Sequence, residues 1–331
     1  VSGLQRIHDP QGRSLPNAVG LGPAAGLGPD VDLAAMRAEV DALTRGGAPL
    51  AVAEGRRVLP LRSPGGDPHR TDTAGPGLEG FAPTPWCDRL PALRAFLAAL
   101  PAPLRAVRLM ALAPGAVLKG LGAAKNGPPW GLCRLHLPIV SGPGTKVVFP
   151  DGSHRWDPGG LWFSAAWRRH ALVNDPAGGL VHLVVDLHHT AAVAELFPEA
   201  LRPRLRSPAA LERRREIPLA PAELARHACR FALPESFANW EQPGHLLPHR
   251  LLRGVVAARL VPHHDTLLLV MADRPFCALE HIGDGEFRLR GWSDERTLQV
   301  TLDTGRPTGV VVRAREGANT YVTSLPAAPP A

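Results

Sequence analysis

The sequence predicts a mainly β protein with flanking helices: a jelly roll or antiparallel barrel through the middle, then a small C-terminal α+β domain. Three observations carry this prediction. Short apolar segments between residues 110 and 189 are cut by Pro, Gly and Asp turns, as in Trp130-Gly-Leu-Cys-Arg-Leu-His-Leu-Pro-Ile139 and Val181-His-Leu-Val-Val-Asp-Leu-His188. Two stretches of helical period precede them. A second series of strand-like runs follows a Pro-containing connector.

In order, residues 1–30 hold many Gly and Pro without helical or strand period and read as an arm or loop. Gly20-Leu-Gly-Pro-Ala-Ala-Gly26 lacks the spacing and the preceding strand of a dinucleotide fingerprint. Over residues 32–43, Leu33, Met36, Val40 and Leu43 recur on one helical face, with Asp30 or Asp32 as cap. Val58-Leu-Pro-Leu61 reads as a strand, and residues 63–80 as a long loop. Residues 87–100 present Leu90, Leu93, Phe96 and Leu97 as a second helix, ended by Pro101 and Pro103. A strand at 107–112 and a Pro114-Gly115 turn lead into the barrel. Residues 190–201, rich in Ala, read as a short helix. The connector 202–218 holds Arg202, Arg204, Arg206, Arg213, Arg214 and Arg215 and reads as a solvated linker. Residues 221–231 and 234–240 read as helices. Strand-like runs follow at 254–260, 266–271, 276–282, 286–290, 297–302 and 310–313, with Gly283-Asp-Gly285 as a hairpin turn. The expected domains are an arm and helix over 1–49, a barrel over 50–201, the linker over 202–218 and the α+β domain over 219–331.

With 331 residues, 45% of them apolar, the chain can bury a large core without disulfides. Cys87, Cys133, Cys229 and Cys277 form no Cys-x-x-Cys pair and suit reduced thiols. No secretory segment opens the chain and no apolar run reaches membrane-spanning length, so a cytoplasmic protein without a membrane partner is expected. The formal charge is +7, yet basic residues are mostly scattered and no nucleic-acid-binding signature is present, so no nucleic-acid partner is expected. Nucleophile-elbow, phosphate-loop and His-Glu-x-x-His motifs are absent. Lysine occurs only as Lys119, Lys125 and Lys146 in a chain that otherwise chooses Arg.

Four short stretches carry a resemblance. Arg134-Leu-His136 places two residues on one face of a strand. Pro158-Gly159 leads to Trp162-Phe163. His170 is followed by Val173-Asn174. His182 to Asp186 forms the last barrel strand. In order and wording these stretches resemble the aspartyl/asparaginyl β-hydroxylase-like family of iron(II)/2-oxoglutarate oxygenases. The resemblance implies a double-stranded β-helix, or cupin-like jelly roll, with iron(II) and 2-oxoglutarate as cofactor and cosubstrate. It implies hydroxylation of an amino-acid or peptidyl side chain, with His170 as a metal ligand. By the same resemblance Arg134, His136, Trp162, Asn174 and His182 bind substrate or cosubstrate. Two positions depart from the family. Where its spacing puts the first ligand His, this chain reads Lys125-Asn126-Gly127. Where it has an Arg for the far carboxylate of 2-oxoglutarate, this chain has Leu180. Lys125 thereby becomes a candidate catalytic residue, an ammonium where the metal cation sits in relatives.

Three functions remain open: an oxygenase with altered ligands; a non-catalytic binding protein for an acidic small molecule, amino acid or peptide; and a regulatory protein working through its C-terminal domain. His136 and His182 also suit hydrogen-bonded core positions. His188-His189 and His263-His264-Asp265 look like metal motifs, although adjacent strand residues face opposite ways. A Cys133/His136 nucleophilic pair competes with a core role for Cys133.

Overall fold

Period-two alternation decides which side chains of the central strands meet the ligand-sized space described below. The structure is a computed structural model and describes residues 15–23, 32–47, 51–53, 56–73, 75–247 and 254–329. One sheet holds β1 (Ala18–Pro23), β2 (Ala51–Ala53), β3 (Arg56–Pro64), β4 (Phe81–Pro83), β5 (Leu104–Leu112), β7 (Leu132–Val140), β10 (Gly160–Ser164) and β12 (Leu180–His188). Its order is β1-β10-β7-β12-β5-β3-β2, with β4 on β3. A second sheet holds β6 (Val117–Leu121), β8 (Lys146–Phe149), β9 (Gly152–His154) and β11 (His170–Val173), in the order β6-β11-β8-β9. The sheets share an apolar layer in which Met110, Leu112, Leu180 and Val184 meet Leu118, Val147, Phe149 and Leu172. This is the expected jelly roll.

On β7 and β12 the odd residues Cys133, Leu135, Leu137, Ile139, Leu183, Val185 and Leu187 enter the core on the outer face. That core is completed by Met36, Val40 and Leu43 of α1 (Leu33–Arg45) and by Leu93, Phe96 and Leu97 of α3 (Pro91–Ala99). Truncating such a residue, as in Leu→Ala, costs about 2–5 kcal/mol by lost transfer energy and cavity formation. The Asp32 carboxylate caps α1, accepting from the amides of Ala34 and Ala35 at 2.9 and 3.0 Å. With that face buried, the even residues of the same strands turn toward the second sheet.

Several expectations need correction. Residues 18–23 are not arm but strand β1, paired with β10; Gly20 and Gly22 contribute no side chain and so hide its period. The expected helix over 87–100 is two pieces, α2 (Pro85–Asp88) and α3, because Pro91 drives Leu90 out of the helical region to φ −131, ψ 68. Residues 190–201 form two separate turns, α4 (Ala191–Ala194) and a 3-10 turn over Glu199–Leu201, with Pro198 between them; α5 (Arg202–Leu205) follows. The helix expected over 221–231 stops as α6 (Pro221–Arg226), and the next residues are strand β13 (Cys229–Pro234).

The α+β expectation for the C-terminal part takes a definite form: two short helices, α6 and α7 (Glu235–Ala238), beside a closed barrel. After β13 come β14 (Val255–His263), β15 (Thr266–Met271), β16 (Arg274–His281), β17 (Glu286–Leu289), β18 (Arg296–Asp303), β19 (Arg306–Glu316) and β20 (Asn319–Ala328). They pair consecutively, and β13 closes on β20. Gly283 and Gly285 take φ +111 and +67 in the β16–β17 turn, as a glycine-flanked hairpin requires. Leu233, Leu269, Phe287, Leu298, Val310 and Val312 fill the interior. No helix among the described residues is long and apolar enough to cross a membrane.

The arginine run of the connector is not a solvated linker throughout. Arg213 reaches Glu280 at 3.0 Å, and Arg214 reaches Glu286 at 2.6 Å and Asp294 at 2.8 Å. Burial alone would raise the Glu286 carboxyl; hydrogen bonds from Arg214, Thr297 and Arg315 instead pull it down to about 2. A carboxyl lowered on folding contributes stability above its unfolded pKa, and that contribution is lost as pH falls from about 4.5 through about 2. The Tm gap between wild type and Glu286→Gln is therefore expected to be widest at pH 6 and to narrow steadily below pH ~4. A gap of constant size across that window would contradict the ion-pair account.

Candidate functional site: an arginine-lined cavity between the two units

The even residues of β5, β7 and β12 face a cavity of about 670 Å³. Arg134 and His136 of β7 both line it, as their spacing of two predicts, and His170 of β11 lines it from the opposite sheet. The C-terminal unit adds Trp240, Glu241 and Trp292, and the 63–80 loop adds Thr71, Asp72 and Thr73. The cavity thus belongs to both halves of the chain. Gly75 is required at this junction, because a Cβ there would lie 2.2 Å from Trp240 Nε1.

Its polar end is organised around Asp186, whose side chain is fully buried. Arg134 donates to both carboxylate oxygens through Nε and Nη2, at 2.6 and 2.9 Å. Asn126 Nδ2 donates to Oδ1 at 2.9 Å, and Arg108 Nη1 to Oδ2 at 3.2 Å. Burial would raise this carboxyl, but Arg134 and Arg108 override it and hold Asp186 well below the usual carboxylate range. Arg105 stands beside them, held by the Gly291 carbonyl at 3.0 Å and by the faces of Phe81 and Trp292. Burial lowers Arg105 and Arg108 to about 10, so both remain cations at neutral pH. One buried carboxylate therefore faces more than one guanidinium, and Arg108 spends a single nitrogen on it.

His182 stands behind His136 of the cavity lining, with ring centres 6.0 Å apart. Burial, then the neighbouring His182 and Arg134, holds His136 well below its ordinary value; burial alone takes His182 to about 3. Burial also lowers His170, whose Nδ1 lies 2.8 Å from the Arg168 carbonyl oxygen. The three imidazoles are neutral at pH 7, so the cavity's positive charge comes from arginine. Trp156 lies against His136 with ring centres 4.7 Å apart, and Trp162 stacks on Trp156 at 6.1 Å.

Of the candidate residues Arg134, His136 and His170 line the cavity, Trp162 and His182 pack against Trp156, and Lys125 and Asn174 sit elsewhere. Lys125 does not face the cavity. It takes a left-handed backbone, φ +57, and directs Nζ to Glu295 of the C-terminal unit at 2.6 Å. Asn174 holds a turn, donating to the Ala113 and Gly178 carbonyls at 2.8 and 2.9 Å and accepting from Thr145 Oγ1 at 3.0 Å. Leu180 is fully buried in the apolar layer between the sheets. Cys133 belongs to the opposite face from His136: burial pushes its thiol up, and its sulfur lies 3.8 Å from His189 Nδ1. His188 meets Arg213 at 3.2 Å while His189 meets the Leu205 carbonyl, so this pair splits across the sheet. His263 and His264 are exposed on the β14–β15 hairpin. Among the described residues no three His, Cys, Asp or Glu side chains gather as metal donors.

The sequence reading missed Arg105, Arg108, Trp240 and Trp292. Arg105 is brought in by a register shift between β5 and β12, which pair Val107 with Val185 but Leu104 with Leu187. Arg108 did carry a signal, the single charge in the strand expected over 107–112.

Comparison with known proteins gives backbone likeness only. No family model matches the sequence, and no curated protein matches it. Similar solved structures include an oxidoreductase of the 2OG-Fe(II) oxygenase family from Burkholderia pseudomallei. It is 14% identical over 46% of this chain and 77% of that one, with TM-score 0.33. A Pseudomonas putida prolyl-4-hydroxylase is 16% identical over 47% of this chain and 87% of that one, with TM-score 0.31. A Cupin 2 conserved barrel domain protein from Salinispora arenicola is 15% identical over 45% of this chain and 89% of that one, with TM-score 0.25. The function must therefore be argued from this chain's own residues.

Proposed function

We propose that this chain is a carboxylate-binding protein on a dioxygenase-like jelly roll, a pseudo-oxygenase that works without an iron centre. The observation carrying this reading is the charge balance around Asp186, where Arg108 and Arg134 share one buried carboxylate at the wall of the cavity. A ligand carboxylate would complete the pairing, and guanidinium forks hold such groups with good geometry in a partly dry site. The ligand class is an acidic small molecule, an amino acid or an acidic peptide side chain.

Iron(II) with 2-oxoglutarate does not fit the residues present. Lys125 is committed to Glu295, Leu180 offers an apolar side chain where a cosubstrate anchor is needed, and among the described residues His170 has no carboxylate partner for a facial donor set. The aspartyl/asparaginyl β-hydroxylase-like reading is the second one, favoured by Arg134, His136 and His170 sharing one cavity. Iron-dependent conversion of 2-oxoglutarate to succinate separates the two. The pseudo-oxygenase reading expects none above a protein-free control; turnover that disappears in His170→Ala would overturn it.

A further inference from the structure

Beside the cavity, His136 and His182 hold hydrogen-bonding capacity that a carboxylate at Arg108 would not meet. His182 is fully buried, and neither of its ring nitrogens has a hydrogen-bond partner among the described residues. His136 is 8% exposed, with Nδ1 also unpartnered. Leaving such groups unmet costs about 1–3 kcal/mol each, so a buried pair of this kind calls for a bound species.

The backbone supplies a third donor. On adjacent strands His182 is directly opposite Met110, so their side chains stand on the same face. His136 is opposite Val184, two residues along β12 from His182, and is the diagonal neighbour. Ring centres 6.0 Å apart leave room for one ion at about 2 Å from a nitrogen of each imidazole. Two imidazoles and a thioether form a soft donor set with no carboxylate and little access to water. The missing oxygen donors select against magnesium and calcium, and the thioether favours a soft monovalent ion. Trp156 completes the enclosure, its ring centre 4.7 Å from that of His136 and 6.0 Å from that of His182.

We propose that His136, His182 and Met110 form a copper(I) site in the wall of the jelly-roll cavity. The ion is held by two neutral imidazoles and one thioether, with the indole of Trp156 as a shield. This site uses none of the guanidiniums that carry the carboxylate reading, so either proposal can fail without the other.

The test is anaerobic titration of metal-free protein with copper(I) against a chromophoric chelator, followed by X-ray absorption on the loaded protein. One equivalent should be retained in competition, with two nitrogen neighbours and one sulfur neighbour at the metal. Met110→Leu conserves volume and should fold; it should lose the sulfur neighbour and weaken binding at least ~10-fold. His182→Leu should abolish retention. A His263→Ala/His264→Ala variant removes the exposed hairpin pair and should bind as wild type does. Failure of wild type to retain copper(I) overturns the proposal. So does retention that is unchanged in both Met110→Leu and His182→Leu, or lost in the hairpin variant.

Discussion

Replacing Glu295 by Ala is expected to destabilise the protein by about 3–5 kcal/mol, because it strands the Lys125 ammonium in a buried site. Glu295 is fully buried, accepting from Lys125 Nζ at 2.6 Å and from Trp292 Nε1 at 2.9 Å, with Arg296 Nε at 3.3 Å. Burial lowers the Lys125 ammonium, and the Glu295 carboxylate is the largest influence opposing that loss. The neighbouring contacts belong to the same junction: Ser293 Oγ donates to the Trp130 carbonyl at 2.5 Å, and the Gly77 amide to the Arg290 carbonyl at 3.1 Å. The cost comes from the unpaired charge rather than from the bond itself. Glu295→Leu combined with Lys125→Met should therefore recover most of the stability that Glu295→Ala loses. Equilibrium urea unfolding of the three variants checks this. A loss below ~1 kcal/mol in Glu295→Ala, the range of an exposed pair, would show that the junction is wet and the ion pair incidental.

Arg108→Gln is expected to weaken carboxylate binding by about 2–5 kcal/mol, roughly 30- to several-thousand-fold in Kd, while leaving the fold intact. The asymmetry around Asp186 motivates this choice. Arg134 uses two nitrogens on that carboxylate and Asn126 adds a third donor, so Asp186 stays satisfied when Arg108 is removed. Arg134→Ala is the poorer probe. It would open the buried pair at Asp186 and mix lost binding with lost stability.

The sequence made the jelly roll legible because β7 and β12 alternate cleanly, and one register assigns Arg134, His136, His182 and Asp186 to a common face. It made the hairpin at residues 283–285 legible through glycine. It did not reveal that the C-terminal strands close, since β13 lies in a run that continues the helical pattern of α6, and β20 (Asn319–Ala328) mixes Thr, Ser, Pro and Ala with only Tyr321, Val322 and Leu325 as larger apolar residues. Closure is a property of all eight strands together. The place of Lys125, away from the cavity and on Glu295, is hidden in the sequence for a related reason. Its rarity and its spacing from His136 were local signals, whereas its partner lies 170 residues away in a charged segment, Ser293-Asp-Glu-Arg296, that sequence alone would place at the surface. Within that segment Ser293 and Glu295 bond across the junction to Trp130 and Lys125, while Arg296 is held by the Ser236, Phe237 and Gln242 carbonyls of its own unit; Trp240 and Trp292 reach the cavity from the same unit.

Calorimetric titration of metal-free protein with dicarboxylates, amino acids and short acidic peptides tests the central claim most directly. The account predicts saturable one-to-one binding of at least one of these acids without added iron, strongly weakened in Arg108→Gln and reduced by salt. Absence of heat with every acid, or binding that Arg108→Gln leaves unchanged, would contradict it.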